Sequence, residues 1–212
     1  MTADGTSEKH SGPALPPAAQ RLRQGRLALA GQAGATGSAD DSANSVCPAS
    51  PGSQPCLAHL AAYPQASSTL MDTYFRERLE ELGEANPKLF ASSFALVAVG
   101  GYGRSELCPS SDVDVLLLYG AELPPAADEI SRGLFHPLWD LGLDLGHGVR
   151  SIKDCLRLAR EDTQVLTSLL DTRLIAGDEG LVSRFLHEFS ERLLHGHARA
   201  FGQWVLEHNA AR

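Results

Sequence analysis

The chain has 212 residues, 18 of them Lys or Arg and 26 Asp or Glu, for a formal net charge of −8. That length suits one domain with a tail, and the acidic balance speaks against nucleic acid as a partner, since a phosphate backbone needs a cationic face. No apolar run nears the roughly 18 residues of a membrane-spanning helix. Four scattered cysteines without a C-x-x-C pair point to free thiols in a cytoplasmic protein rather than to a disulfide scaffold or a zinc site.

Ala, Gly, Pro and Ser fill 32 of the first 60 positions, and no aromatic residue occurs among them. So little large apolar surface does not offset the entropy of ordering a chain. Residues 1–62 are therefore expected to be a disordered tail, and 63–212 the folded domain. The stretch 18–30, with Leu22, Leu27 and Leu29, is the tail's exception and has the makings of a transient or docked helix. The tail's charges cancel, so the excess of acid belongs to the folded part.

From residue 67 the chain becomes periodic. Leu70, Met71, Tyr74, Phe75, Leu79 and Leu82 recur at helical spacing, with Ser68 or Thr69 as N-cap and a stop before Gly83 and Asn86-Pro87. Residues 94–99 (FALVAV) form a continuous apolar run, as a strand buried on both faces requires. Gly100-Gly101-Tyr102-Gly103 follows, then a polar link and a second strand over 112–119. A helix is expected over 126–141 and a third strand over 143–149. Ser151 and Asp154 then make a capping-box-like start for a helix to residue 160. Helices over 162–171, 180–194 and 197–208 complete the order. The fold class this implies is α/β (mixed), a small mixed sheet with packed helices and a helical C-terminal segment. Leu181, Val182, Phe185, Leu186, Phe189, Leu193 and Leu194 form an apolar stripe that must cover either the sheet or a further domain; the sheet is the expected partner.

The chemistry concentrates around Asp112 and Asp114. Side chains at i and i+2 of a strand point to the same side, so these carboxylates converge. Two such groups raise each other's proton affinity unless a cation lies between them, and an all-oxygen donor set suits Mg²⁺. An isolated Asp-x-Asp is usually a solvated pair, but this one follows a buried strand that ends in Gly100-Gly101. Glycines there permit positive φ and let backbone N–H groups approach an anion. The stretch is neither a Walker loop, which needs G-x-x-x-x-G-K-[ST], nor a Rossmann fingerprint, since Glu106 stands where the last glycine belongs.

The pattern hydrophobic-Gly-Gly, about ten residues, then Ser-Asp-x-Asp between hydrophobics resembles the nucleotidyltransferase superfamily typified by DNA polymerase beta. The longer strings GGYGRSELCPSSDVDVLLLY, LWDLGLDLGHGVRSIKDCL and DTQVLTSLLDTRLIAGD, in that order, are similar to the nucleotidyltransferase domain of the PII uridylyltransferase/uridylyl-removing enzymes. The resemblance covers roughly residues 70–195. It implies a polymerase-beta-like core in which Gly100 and Gly101 cradle a nucleoside triphosphate and Ser111 touches it. Asp112 and Asp114 would bind two Mg²⁺ ions. Asp144, between Leu143 and Leu145, would be the third carboxylate, ligating the second ion and helping to deprotonate the acceptor hydroxyl; Asp140 is its rival. Arg104 would clamp phosphates, or else pair with Glu106. His147 and Arg150 match the family's GH-x-VR pattern, His147 facing either the nucleotide or the sheet edge. Asp171 and Arg173 read as a helix-end ion pair.

The implied reaction is transfer of UMP from UTP to a tyrosine of the PII signalling protein, with release of pyrophosphate. A different acceptor, small molecule or RNA, and a non-catalytic interaction module are the alternatives. Full-length family members continue into an HD-type phosphohydrolase domain and ACT domains. This sequence has no His-Asp dipeptide and ends within a helical pattern, so the chain is expected to be truncated relative to them.

Overall fold

Strand β1 (Phe94–Ala98) lies at the centre of the molecule because its side chains are buried on alternate faces: Ala95 and Val97 enter one core, Leu96 and Ala98 the other. It pairs antiparallel with β2 (Val113–Tyr119) on one side and with β4 (Arg173–Gly177) on the other, and β3 (Leu145–Ser151) runs parallel to β2. The order β3-β2-β1-β4 makes a four-stranded mixed sheet. The computed structural model describes residues 14–34 and 54–194. Its fold class is mixed α/β, as expected.

Helices cover both faces, which is why the central strands read as continuous apolar runs. On one face α1 (Pro17–Gly34), α2 (Gln54–Ala85) and α4 (Ala127–Asp140) pack over Leu96, Val113, Val115 and Leu117. On the other, α5 (Ile152–Glu161), α6 (Thr163–Leu170) and α7 (Glu179–Phe189) pack over Ala95, Val97, Leu116 and Leu118. A one-turn helix, α3 (Gly100–Gly103), follows β1 directly. The Ser151 cap forms as read: its hydroxyl accepts from the Asp154 amide at 3.1 Å and donates to the Asp154 carboxylate at 2.6 Å. The stripe of Leu181, Val182, Phe185, Phe189 and Leu193 packs on the sheet, while Leu186 faces outward.

Two elements depart from the sequence reading, while the exception within the tail takes form. The docked helix allowed for over 18–30 is present as α1. In α1, Ala18, Ala19 and Leu22 are buried against α2, the Ala18 amide donates to Glu81 at 2.8 Å, and Arg21 pairs with Glu77 at 2.8 Å. Composition averaged over 60 residues hides a local stripe of small residues that lets two helices approach closely. Next, α2 begins at Gln54 and runs through Pro64 rather than starting near residue 67. Finally, β4 was unforeseen. Its apolar run, Leu174-Ile175-Ala176, is only three residues long, and its pairing with β1 defines it as a strand. Residues 1–13, 35–53 and the helix expected over 197–208 lie outside the described residues.

Candidate active site

The polar end of the sheet is built by the turn after β1 and the start of β2. Gly100 takes φ +58°, a conformation that side-chain-bearing residues rarely adopt. The Val99 amide donates to the Asp114 carbonyl at 3.1 Å, which sets the glycine turn beside the second carboxylate. Asp114 Oδ2 lies 3.5 Å from the position of a Cβ on Gly100, and Oδ1 only 2.0 Å from that of a Cβ on Gly146. Any side chain at 146 would occupy the carboxylate's space.

Asp114 is half-buried and Asp112 exposed. Burial, and then the negative charge of Asp112, raise the Asp114 carboxyl above its ordinary value. The mutual repulsion read from the Asp-x-Asp spacing is thus present in the fold.

Asp144, the candidate third carboxylate of the sequence, directly precedes β3. Val113 pairs with Leu145 and Asp114 with Gly146, and the Val113 amide donates to the Asp144 carbonyl at 3.0 Å. Asp112 and Asp144 each lie one residue before the paired segments, and Asp144 is exposed. Asp140, at the end of α4, borders a separate groove with Arg26 and Leu27. Among the described residues, no three His, Cys, Asp or Glu side chains stand close enough together to hold a metal ion.

The other sequence candidates are distributed differently. Arg104 is engaged: Nε donates to Glu106 at 2.8 Å and Nη1 to Asp171. Ser111 closes a turn by accepting from the Cys108 amide at 3.3 Å, and it borders a small pocket with Ser67 and Met71 rather than the Asp114 cleft. His147 pairs with Val115 in the register, so it points away from Asp114; its ring packs on Phe135 and Trp139 at centroid distances of 5.0 and 5.2 Å.

The reading of Asp171 and Arg173 as partners is corrected. Asp171 bonds Arg104, whereas Arg173 makes a two-pronged pair with Asp72 of α2 at 2.7 and 3.1 Å. Arg173 also donates to the Gly103 and Tyr102 carbonyls, both at 3.2 Å, and the Tyr102 hydroxyl donates to Asp72 at 2.6 Å. This network fastens the glycine turn to α2 and β4. Sequence reading missed it because Asp72 and Arg173 are 101 positions apart.

Asp114 opens into a cleft of about 390 Å³ between the sheet and α6, bordered by Val99, Gly146, Gly148, Arg150, Gln164 and Ser168 among others. Gln164 and Ser168 carried no sequence signal. A glycine turn after a buried strand, answered by paired carboxylates at the head of its antiparallel neighbour, is the arrangement implied for a nucleotidyltransferase.

Known proteins agree with that class. The chain is similar to bifunctional uridylyltransferase/uridylyl-removing enzymes: 41% identical over 136 residues to that of Cereibacter sphaeroides, 37% over 106 residues to that of Rhodopseudomonas palustris, and 40% over 144 residues to that of Burkholderia lata. These matches take in 64%, 50% and 68% of this chain but 14%, 11% and 16% of the relatives, so the chain matches a small part of each. No family model matches. A solved toxin–antitoxin chain with AMP-PNP aligns over 63% of this chain and 97% of its own at a TM-score of 0.37 and 15% identity, a likeness too loose to bear on function. The resemblance read from the three sequence strings is borne out by the relatives.

Proposed function

We propose that the chain is a Mg²⁺-dependent nucleotidyltransferase that moves UMP from UTP to a tyrosine hydroxyl of a PII-type signalling protein. The observation that carries the chemistry is the half-buried Asp114 carboxylate, walled by Gly100 and Gly146 and left to the like charge of Asp112. UTP and the PII acceptor come from the uridylyltransferase relatives. An all-oxygen pair whose inner member, Asp114, is raised by burial and by the charge of Asp112 fits a hard divalent cation. Asp112 and Asp114 are the carboxylates that would hold Mg²⁺, which would supply positive charge for the phosphoryl oxygens; Asp144 does not stand close enough to them to complete a three-carboxylate cluster.

In the reaction the acceptor oxygen attacks the α-phosphorus of UTP, the bond to the bridging α–β oxygen breaks, and pyrophosphate leaves. Asp144, which is exposed, is the residue that the resemblance assigns to take the hydroxyl proton. Gly100 and Gly101 leave the turn's backbone open to the triphosphate. The Asp72–Arg173–Tyr102 network holds that turn in place, so little reorganisation is needed when substrate binds. No helix among the described residues is long and apolar enough to cross a membrane; the cytoplasmic setting is part of the proposal.

The deciding experiment incubates the chain with labelled UTP, Mg²⁺ and a PII-type protein, with ATP and CTP in parallel. Label on the acceptor from UTP alone is expected. Label from ATP alone would remove the uridylyl assignment and keep nucleotidyl transfer, and no label from any nucleotide would remove both.

A further inference from the structure

The floor of the cleft is bare. Gly146 and Gly148 pair with Asp114 and Leu116, so both glycines face the side on which Asp114 stands. Arg150, paired with Leu118, shares that face two residues further on. Its side chain folds back along the strand: Nε and Cζ lie 3.3 and 3.5 Å from the position of a Cβ on Gly148. Same-face positions on a strand are about 6.6 Å apart. A guanidinium over Gly148 therefore stands about one such step from the carboxylate over Gly146, which leaves room for a phosphoryl group between them.

Charge points the same way. Among the described residues, Arg150 is the only Lys or Arg bordering this cleft; it is half-buried and makes no hydrogen bond or ion pair with any of them. Asp162, the other carboxylate there, is turned to the start of α6, accepting from the Gln164 and Val165 amides at 2.7 and 3.4 Å. Arg104, the sequence's candidate for a phosphate clamp, already holds two carboxylates. A guanidinium without a carboxylate partner presents a planar fork of donors that matches phosphate oxygens.

We infer that Arg150 is the phosphate-binding cation of this cleft, receiving the phosphate chain of a nucleoside triphosphate over the bare Gly146–Gly148 floor. The inference rests on the nucleotidyltransferase reading and assigns within it a residue that Arg104 would otherwise supply. Its test is calorimetric titration of the full chain with UTP, inorganic tripolyphosphate and uridine in Mg²⁺ buffer, with melting curves alongside. In R150Q the Kd for UTP and for tripolyphosphate should rise 10- to 100-fold while that for uridine stays within twofold; R150K should fall between. If R150Q does not fold, R150K decides, with a several-fold loss for UTP and none for uridine. Equal losses for UTP and uridine, no loss, a larger loss in R104Q, or a defect confined to KM for the acceptor protein would each overturn the inference while leaving the enzyme reading in place. A wild-type chain that binds neither UTP nor tripolyphosphate would overturn both.

Discussion

Asp72 and Asp114 stand on opposite sides of one glycine turn and are treated in opposite ways. Asp72 is buried and holds three charge-assisted bonds: two from Arg173, at 2.7 and 3.1 Å, and one from the Tyr102 hydroxyl, at 2.6 Å. Burial pushes the Tyr102 hydroxyl well above its ordinary value, so it stays protonated and keeps donating. Asp114 is half-buried, and its shift comes from burial and from Asp112, with no hydrogen bond among the causes. A carboxylate matched by a cation of its own chain is part of the scaffold. One set against a like charge at the mouth of a cleft, without a counterion among the described residues, is the kind of group that marks a candidate functional site.

Breaking the second carboxylate should have the largest effect. Asp114→Asn, and likewise Asp112→Asn, should lower kcat/KM at least about 10³-fold, about 4 kcal/mol in the barrier, with the melting temperature unchanged or higher. Near-normal turnover in either variant would refute the active-site assignment. Asp72→Ala should do the reverse and act on stability. It strands a partly buried Arg173, and urea unfolding should register a loss of about 3 kcal/mol, the low end for removing one partner of a buried pair. A loss under about 1 kcal/mol would mean the network is a surface ion pair.

Gly146→Ala tests how tightly the slot is defined. Its Cβ would sit 2.0 Å from Asp114 Oδ1, so the carboxylate must turn away. A 10- to 100-fold fall in kcat/KM is expected, about 1.4–2.7 kcal/mol, with thermal stability little changed; steady-state kinetics beside a melting curve would check it.

The smallest effects are in pH dependence, and the two kinds of aspartate should differ in sign. Asp114 has a raised folded-state pKa, so its ionised form costs stability at neutral pH. That cost fades as pH falls through the raised value towards about 3.9, the unfolded one. Asp114→Asn should melt above wild type at pH 7, and the gap should narrow on acidification. Asp154 is held low by its bond with Ser151, and Asp178 by its bond with Ser93. What they contribute is present above about pH 3.9 and lost as pH falls through their depressed values. Asp154→Asn and Asp178→Asn should melt below wild type at pH 7 and converge with it in acid. Melting temperature against pH, with parallel curves for all variants, would contradict this picture.

What was legible in the residues was local. The apolar runs of β1 and β2, the Ser151 cap, the closeness of Asp112 and Asp114 and the glycine turn before them all follow from neighbours within a few positions, where strand alternation and capping geometry act directly. Tertiary packing decided the rest. It docked α1 on α2 through Ala18, Ala19 and Leu22 although the surrounding composition is that of a disordered chain. It made a strand of Arg173–Gly177 by pairing it with β1. It tied Arg104 to Asp171 and Arg173 to Asp72, and it left Arg150 without an ion-pair partner among the described residues, folded back over Gly148. A side chain's charge is written in the sequence, but its counterion is chosen among residues up to 101 positions away. Only the fold determines which carboxylates are neutralised within the protein and which are left facing a like charge.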